Sequence, residues 1–274
     1  MSIDKTSAIK ELVANPLSRR TFAKRAMAGG MLAAVATGIG LPSDADAQSL
    51  TDVDILNFAL NLEYLEAEFY TVATTGRRIE EIGIGVGGTG TLGGTVGGGV
   101  VSMDNRVMQV ARDLANEEQM HVRLLRTALG SAAVAKPAIN LNALGVGFGN
   151  MTEFLTLARA FEDVGMTAYN GAAPLISSRA ILAAAAGIGL TEAQHAGVLR
   201  YLVYDRGIAV SQLDSLDVPP LASPNGRLFN VNNEGLTIAR TPSQVLAIVY
   251  ANRTAGASNG GFFPGGFNGT IRTV

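Results

Sequence analysis

The 274-residue sequence contains no cysteine and no tryptophan, and only two histidines. Without thiols there can be no disulfides, no thiolate-bound metal and no cysteine nucleophile. Charged residues are scarce, at 16% against 47% hydrophobic, and this excludes a disordered, solvating chain. A net charge of −2 gives no electrostatic basis for nucleic acid or an anionic membrane as a partner. The chain is long enough to bury a substantial core, as one large domain or two small ones.

The first 47 residues read as a leader rather than as part of the fold. Ser18-Arg19-Arg20-Thr21-Phe22-Ala23-Lys24 matches the twin-arginine export pattern. Ala26 to Leu41 follows, 16 residues rich in Ala and Gly. That is short and weakly apolar for a membrane span of about 20 residues. Small residues at Ala45 and Ala47 place cleavage before Gln48. The expectation is a cleaved signal over 1–47, the twin-arginine machinery as partner, and a periplasmic or otherwise exported product. Because this route carries folded proteins, a metal site can fill with Fe or Mn before it meets competing Cu or Zn.

Both histidines fall in one pattern, Glu118-Gln119-Met120-His121 and Glu192-Ala193-Gln194-His195. On a helix, positions i and i+3 share a face, so each pair points a carboxylate and an imidazole the same way. A bundle that holds two divalent ions takes such a pair from each of two helices, plus a lone Glu from each of two more. The remaining chain supplies both. A first helix from Asp52 to about Val72, capped by Thr51 or Asp52 and stopped at Gly76, carries Leu56, Glu63 and Tyr70 on one stripe. Glu66 lies at the edge of that stripe, and Glu68 reads as outer face. A third helix from about Thr152 to Tyr169 repeats the spacing with Leu155, Glu162 and Tyr169. Between these two, Ser102 or Asp104 to Leu129 carries Glu118 and His121 in an apolar stripe. Ser178 to about Tyr204 does the same for Glu192 and His195.

The connections have expected roles of their own. Ten of the seventeen residues from Gly83 to Gly99 are glycine. The formal Gly83-x-Gly85-x-x-Gly88 match there joins two helices and no strand, so it reads as a flexible loop and not as a nucleotide site. The twenty residues after Leu129 can extend about 66 Å, past the roughly 40 Å of the preceding helix, and so can cross the bundle. Beyond residue 205 the pattern weakens. Thr241-Pro242-Ser243-Gln244 opens a short helix to about Tyr250, and Phe262, Phe263 and Phe267 are placed to cover the bundle.

The expected metal ligands are therefore Glu63, Glu118, His121, Glu162, Glu192 and His195. Glu118 and Glu192 would bridge, Glu63 and Glu162 would be terminal, and each histidine would serve one ion. Four carboxylates balance two M²⁺ ions, and an O/N set without thiolate suits Fe or Mn. Glu66 could ligate in place of Glu63, line an iron path, or sit exposed. Tyr70 and Tyr169 are candidate hydrogen-bond donors or electron relays, or else ordinary core aromatics.

The stretch Asn57-Phe58-Ala59-Leu60-Asn61-Leu62-Glu63-Tyr64-Leu65-Glu66-Ala67-Glu68-Phe69-Tyr70 resembles the opening helix of ferritin-like proteins similar to the plant desiccation-related family. Phe161 to Tyr169 and Glu192 to Gly197 resemble its later helices. The resemblance runs from about Thr51 to the C-terminus. It implies an all-α, ferritin-like four-helix bundle over 48–205, with a long crossover between helices 2 and 3 and an extension over 206–274 packed on it. It also implies a link to stress or drying, without fixing a reaction. Rubrerythrins, bacterioferritins and manganese catalases run different chemistry on similar ligands. Two expectations follow. One is a dinuclear-metal oxidoreductase (ferroxidase-, peroxidase- or manganese-catalase-like) acting on O₂, peroxide or Fe²⁺. The other is a non-catalytic protein that protects against desiccation. A homo-oligomer is compatible with either, whereas the insertion and tail would obstruct an iron-storage cage.

Overall fold

The computed structural model describes residues 50–220 and 227–274; the expected leader lies outside them. Four long helices form the frame: α1 Asp52–Thr75, α2 Asn105–Leu129, α3 Met151–Ala172 and α4 Arg179–Asp205. Each starts where a side chain can accept from the first free amides. Thr51 accepts from Asp54 N, Asp104 from Arg106 N and Val107 N, Asn150 from Glu153 N, and Ser178 from Ile181 N. Gly76 ends α1 at φ 73°, a left-handed conformation that suits glycine. A fifth helix, α5 Pro242–Val249, opens with the expected capping box between Thr241 and Gln244. These starts and stops fall within a few residues of the sequence reading.

Helix α1 packs along α2, α3 packs along α4, and α1 also meets α3. The chain from Leu129 to Met151 is the long crossover. It carries β2 Ile139–Asn140, which pairs in parallel with β1 Thr95–Val96 of the glycine-rich loop. A further bridge joins Thr89 to Val134. That loop is not the free linker the composition suggests. Its backbone lies flat on the crossover, and a Cβ at Gly88 would collide with Ala133 O, one at Gly93 with Ala138 N. Glycine is required there for close approach. The last glycine of the Gly-x-Gly-x-x-Gly match, Gly88, is thereby explained by packing.

The same cover corrects the placement of Glu68. Expected on the outer face, it is fully buried. Its carboxylate pairs with Lys136 Nζ from the crossover and accepts from Thr95 Oγ1 at 2.7 Å. Residues 206–220 and 227–274 pack on the frame in turn. Phe262 meets Phe161 at 5.0 Å between ring centroids, and Phe267 meets Phe58 at 5.4 Å. Arg159 and Arg240 are buried against Asp217 and Asp214. Helix α1 is thus buried almost all round, which is why its sequence is apolar on more than one face.

Candidate metal centre

Midway along the bundle each frame helix turns polar groups inward. Glu63 comes from α1, Glu118 and His121 from α2, Glu162 from α3, and Glu192 and His195 from α4. All four glutamates are fully buried, and the histidines are 7% and 5% exposed. The helical period explains the placement: residues seven apart return to one stripe, so Leu56 and Tyr70 on α1, and Leu155 and Tyr169 on α3, hold each lone Glu on the core side.

The donor atoms form two groups, one from Glu63, Glu118, His121 and Glu192, the other from Glu118, Glu162, Glu192 and His195. Within each, the atoms lie within 4.8 Å of one another. Glu118 and Glu192 belong to both groups, as bridging ligands would. His121 Nδ1 faces Glu118 Oε2 at 3.1 Å, Glu63 Oε2 at 3.2 Å and Glu192 Oε1 at 3.4 Å. His195 Nδ1 faces Glu118 Oε1 at 3.0 Å and Glu162 Oε2 at 3.1 Å.

Two tyrosines fix the outer oxygens. Tyr70 Oη on α1 donates to Glu162 Oε1 on α3 at 2.6 Å, and Tyr169 Oη on α3 donates to Glu63 Oε1 on α1 at 2.5 Å. Each terminal carboxylate thus has one oxygen held by a phenol from the opposite helix, while its Oε2 faces an imidazole. Burial, then the adjacent carboxylate, raises both phenols well above their ordinary pKa, so they stay protonated donors.

Without metal the cluster is held together by protons. Burial, then the charge of neighbouring glutamates, lifts Glu118 to about 7 and Glu192 well above the usual carboxylate range. Burial also opposes the charge on His121 and His195. Contacts with Glu63, Glu118, Glu162 and Glu192 outweigh it, and both imidazoles are raised. Burial works against Glu63 ionising, but His121 reverses this and holds it below its ordinary value. Both oxygens of Glu192 are buried and neither makes a full hydrogen bond; the His121 Nδ1 that faces Oε1 stands 3.4 Å away. A buried carboxylate so placed is costly, and a cation between the two groups would remove that cost. The residues therefore fit a pair of divalent ions.

Glu66 is buried beside this cluster but belongs to neither donor group; it is not exposed. Burial and the four surrounding glutamates raise it well above its ordinary value. Sequence reasoning missed Glu117, whose Oε2 lies 2.5 Å from His195 Nε2. Its signal was the acidic residue immediately before Glu118, on the flank of the helix that faces α4.

Gly165 makes room for one ligand. A Cβ there would collide with Glu192 Oε2 and come within 3.1 Å of Glu66 Oε1. Alanine is ordinarily better than glycine inside a helix by about 1 kcal/mol. Gly165→Ala should therefore fold normally while displacing the Glu192 carboxylate. The expected result is unchanged helix content by circular dichroism and a fall in Mn²⁺ affinity of about 10-fold or more by equilibrium dialysis. Full affinity in that variant would show that Glu192 need not occupy this space.

A four-helix bundle with two inward Glu-x-x-His pairs and two lone glutamates has the carboxylate–histidine arrangement of ferritin-like bundles. A ferritin-like domain match over residues 51–205 agrees, and the chain belongs to that family. Among its relatives is a protein named ferritin-like catalase Nec2, from Nesocodon mauritianus. The two are 23% identical over 279 residues, covering 83% of this chain and 87% of that protein. Another is the desiccation-related protein PCC13-62 from Craterostigma plantagineum, 27% identical over 175 residues. That match spans 57% of this chain and about half, 54%, of the relative.

Proposed function

We propose that this chain is a dinuclear Fe or Mn oxidoreductase that disposes of peroxide, carried folded through the twin-arginine route to act outside the cytoplasm. The observation that carries the reading is the sharing of Glu118 and Glu192 between two donor groups, each with its own histidine and terminal glutamate. The catalase relative, matched over most of its length, supports peroxide as the substrate. The route rests on the Arg19-Arg20 pattern alone.

Two bound ions would supply the electron transfers that dismutate peroxide to water and O₂. The protein's own residues do the rest. Four carboxylates neutralise two divalent charges, so the loaded centre can stay in a low-dielectric core. Tyr70 and Tyr169 fix Glu162 and Glu63, which spares the centre reorganisation during turnover. Leu114, Leu125, Leu155 and Leu199, one or two helical turns from the cluster residues on the same stripes, are buried.

Elemental analysis of the purified protein, alongside O₂ release from H₂O₂, tests this reading. About two Fe or Mn per chain with O₂ release are expected, as the ligand set requires. Two ions with Fe²⁺ oxidation but no O₂ release would replace peroxide disposal by iron oxidation. No bound metal would leave a non-catalytic protective protein.

A further inference from the structure

The two halves of the centre differ at one position. His195 uses both ring nitrogens, with Nδ1 turned to Glu118 and Glu162 and Nε2 2.5 Å from Glu117 Oε2. His121 turns Nδ1 to Glu63, Glu118 and Glu192, but among the described residues its Nε2 has no hydrogen-bond partner. The difference is written into the otherwise matching helices. The residue before Glu118 is Glu117; the residue before Glu192 is Thr191, whose hydroxyl turns back to Gly187 O at 3.2 Å.

We propose that Glu117 is a positioning residue that makes the two metal positions unequal, so that the position served by His195 binds its ion first and more tightly. Glu117 sits on the far side of the imidazole from the carboxylate cluster, and its side chain is 50% exposed. It does not belong to either donor group. Its effect runs through the ring. A carboxylate accepting Nε2–H selects the tautomer whose Nδ1 lone pair is free, fixes the ring plane, and makes Nδ1 more basic. Among the described residues His121 has no such partner on its far side, so nothing there selects its tautomer or fixes its ring plane. A divalent ion gains more from the ring that is already oriented.

The test is titration of chelator-stripped protein with Mn²⁺, following the free ion by its paramagnetic resonance. The wild type should show two unequal affinities, and Glu117→Gln should weaken the tighter one by about 10- to 100-fold while leaving the other in place. Glu117→Asp, which keeps the acceptor, should recover part of the loss. The same substitution should weaken the remaining site in a His121→Ala background and do nothing to it in a His195→Ala background. Equal losses in both backgrounds, or unchanged affinities in Glu117→Gln, would overturn the inference. It rests on the dinuclear reading, and the two fail differently. A wild type that takes up neither Mn²⁺ nor Fe²⁺ ends both, whereas two equal sites indifferent to Glu117→Gln end only the inequality.

Discussion

Replacing Glu118 and Glu192 together by glutamine should abolish metal binding and reduce O₂ release from peroxide to that of free Mn²⁺ in buffer. The same change should make the metal-free protein more stable. Both residues serve both donor groups, so their loss removes two of the three carboxylates from each group at once. Glutamine keeps the volume, so no cavity forms to confuse the comparison. The stabilisation follows from linkage. Glu118 and Glu192 hold their protons in the fold beyond the pH at which an unfolded Glu releases them. For such a group stability is complete below its unfolded pKa and is lost as pH rises through its folded one. The raised imidazoles act in the same direction, starting above the ordinary histidine value. The metal-free wild type should therefore weaken between about pH 5 and pH 8. The variant should lose less over that range and lead by about 1–3 kcal/mol at the upper end. Urea unfolding at both pH values reads this directly. A variant less stable than wild type at the higher pH would mean that the cluster does not store the repulsion its geometry implies.

The buried Glu/His cluster was legible because the core side of a bundle helix is decided locally. Seven residues make almost two turns, so Leu56, Glu63 and Tyr70 must share a stripe whatever surrounds the helix, and so must Leu155, Glu162 and Tyr169. Two histidines in a chain this size, each three residues after a Glu, left little freedom for the other two helices. The tyrosines' exchange of partners was not legible. It depends on α1 and α3 running in opposite senses, which pairs Tyr70 with Glu162 and Tyr169 with Glu63. Glu117 was hidden for a similar reason: what a flanking side chain reaches is set by the neighbouring helix. Glu68 was misplaced because helical periodicity finds one buried stripe and assigns the rest to solvent. The loop and crossover that cover the second face of α1 are glycine-rich and aperiodic, and their packing is backbone against backbone.

That cover leads to the second large effect, in Lys136. Its ammonium is fully buried and meets Glu68, Glu80 Oε2 at 2.8 Å and Thr95 Oγ1 at 3.0 Å. These groups tie the crossover, α1, the turn after it and the glycine-rich loop to one point. Burial raises the Glu68 carboxyl, and Lys136 only partly offsets it. Lys136→Met should pack in nearly the same space while leaving a buried carboxylate with Thr95 and the Ile79 amide as its only donors among the described residues. Breaking one side of a buried pair costs about 3–5 kcal/mol. The loss should be smaller at about pH 5 than at pH 8, since Glu68, raised further, can then take up a proton instead of remaining charged. Adding Glu68→Gln should restore most of the stability, because the pair is costly only when half of it is left. Urea midpoints for the two single variants and the double decide the matter. Near-additive losses would show that the cover is held by backbone pairing alone. A rescued double variant would show that the two groups are coupled and that the single-variant loss comes from the unpaired carboxylate, on a face of α1 away from the buried Glu/His cluster.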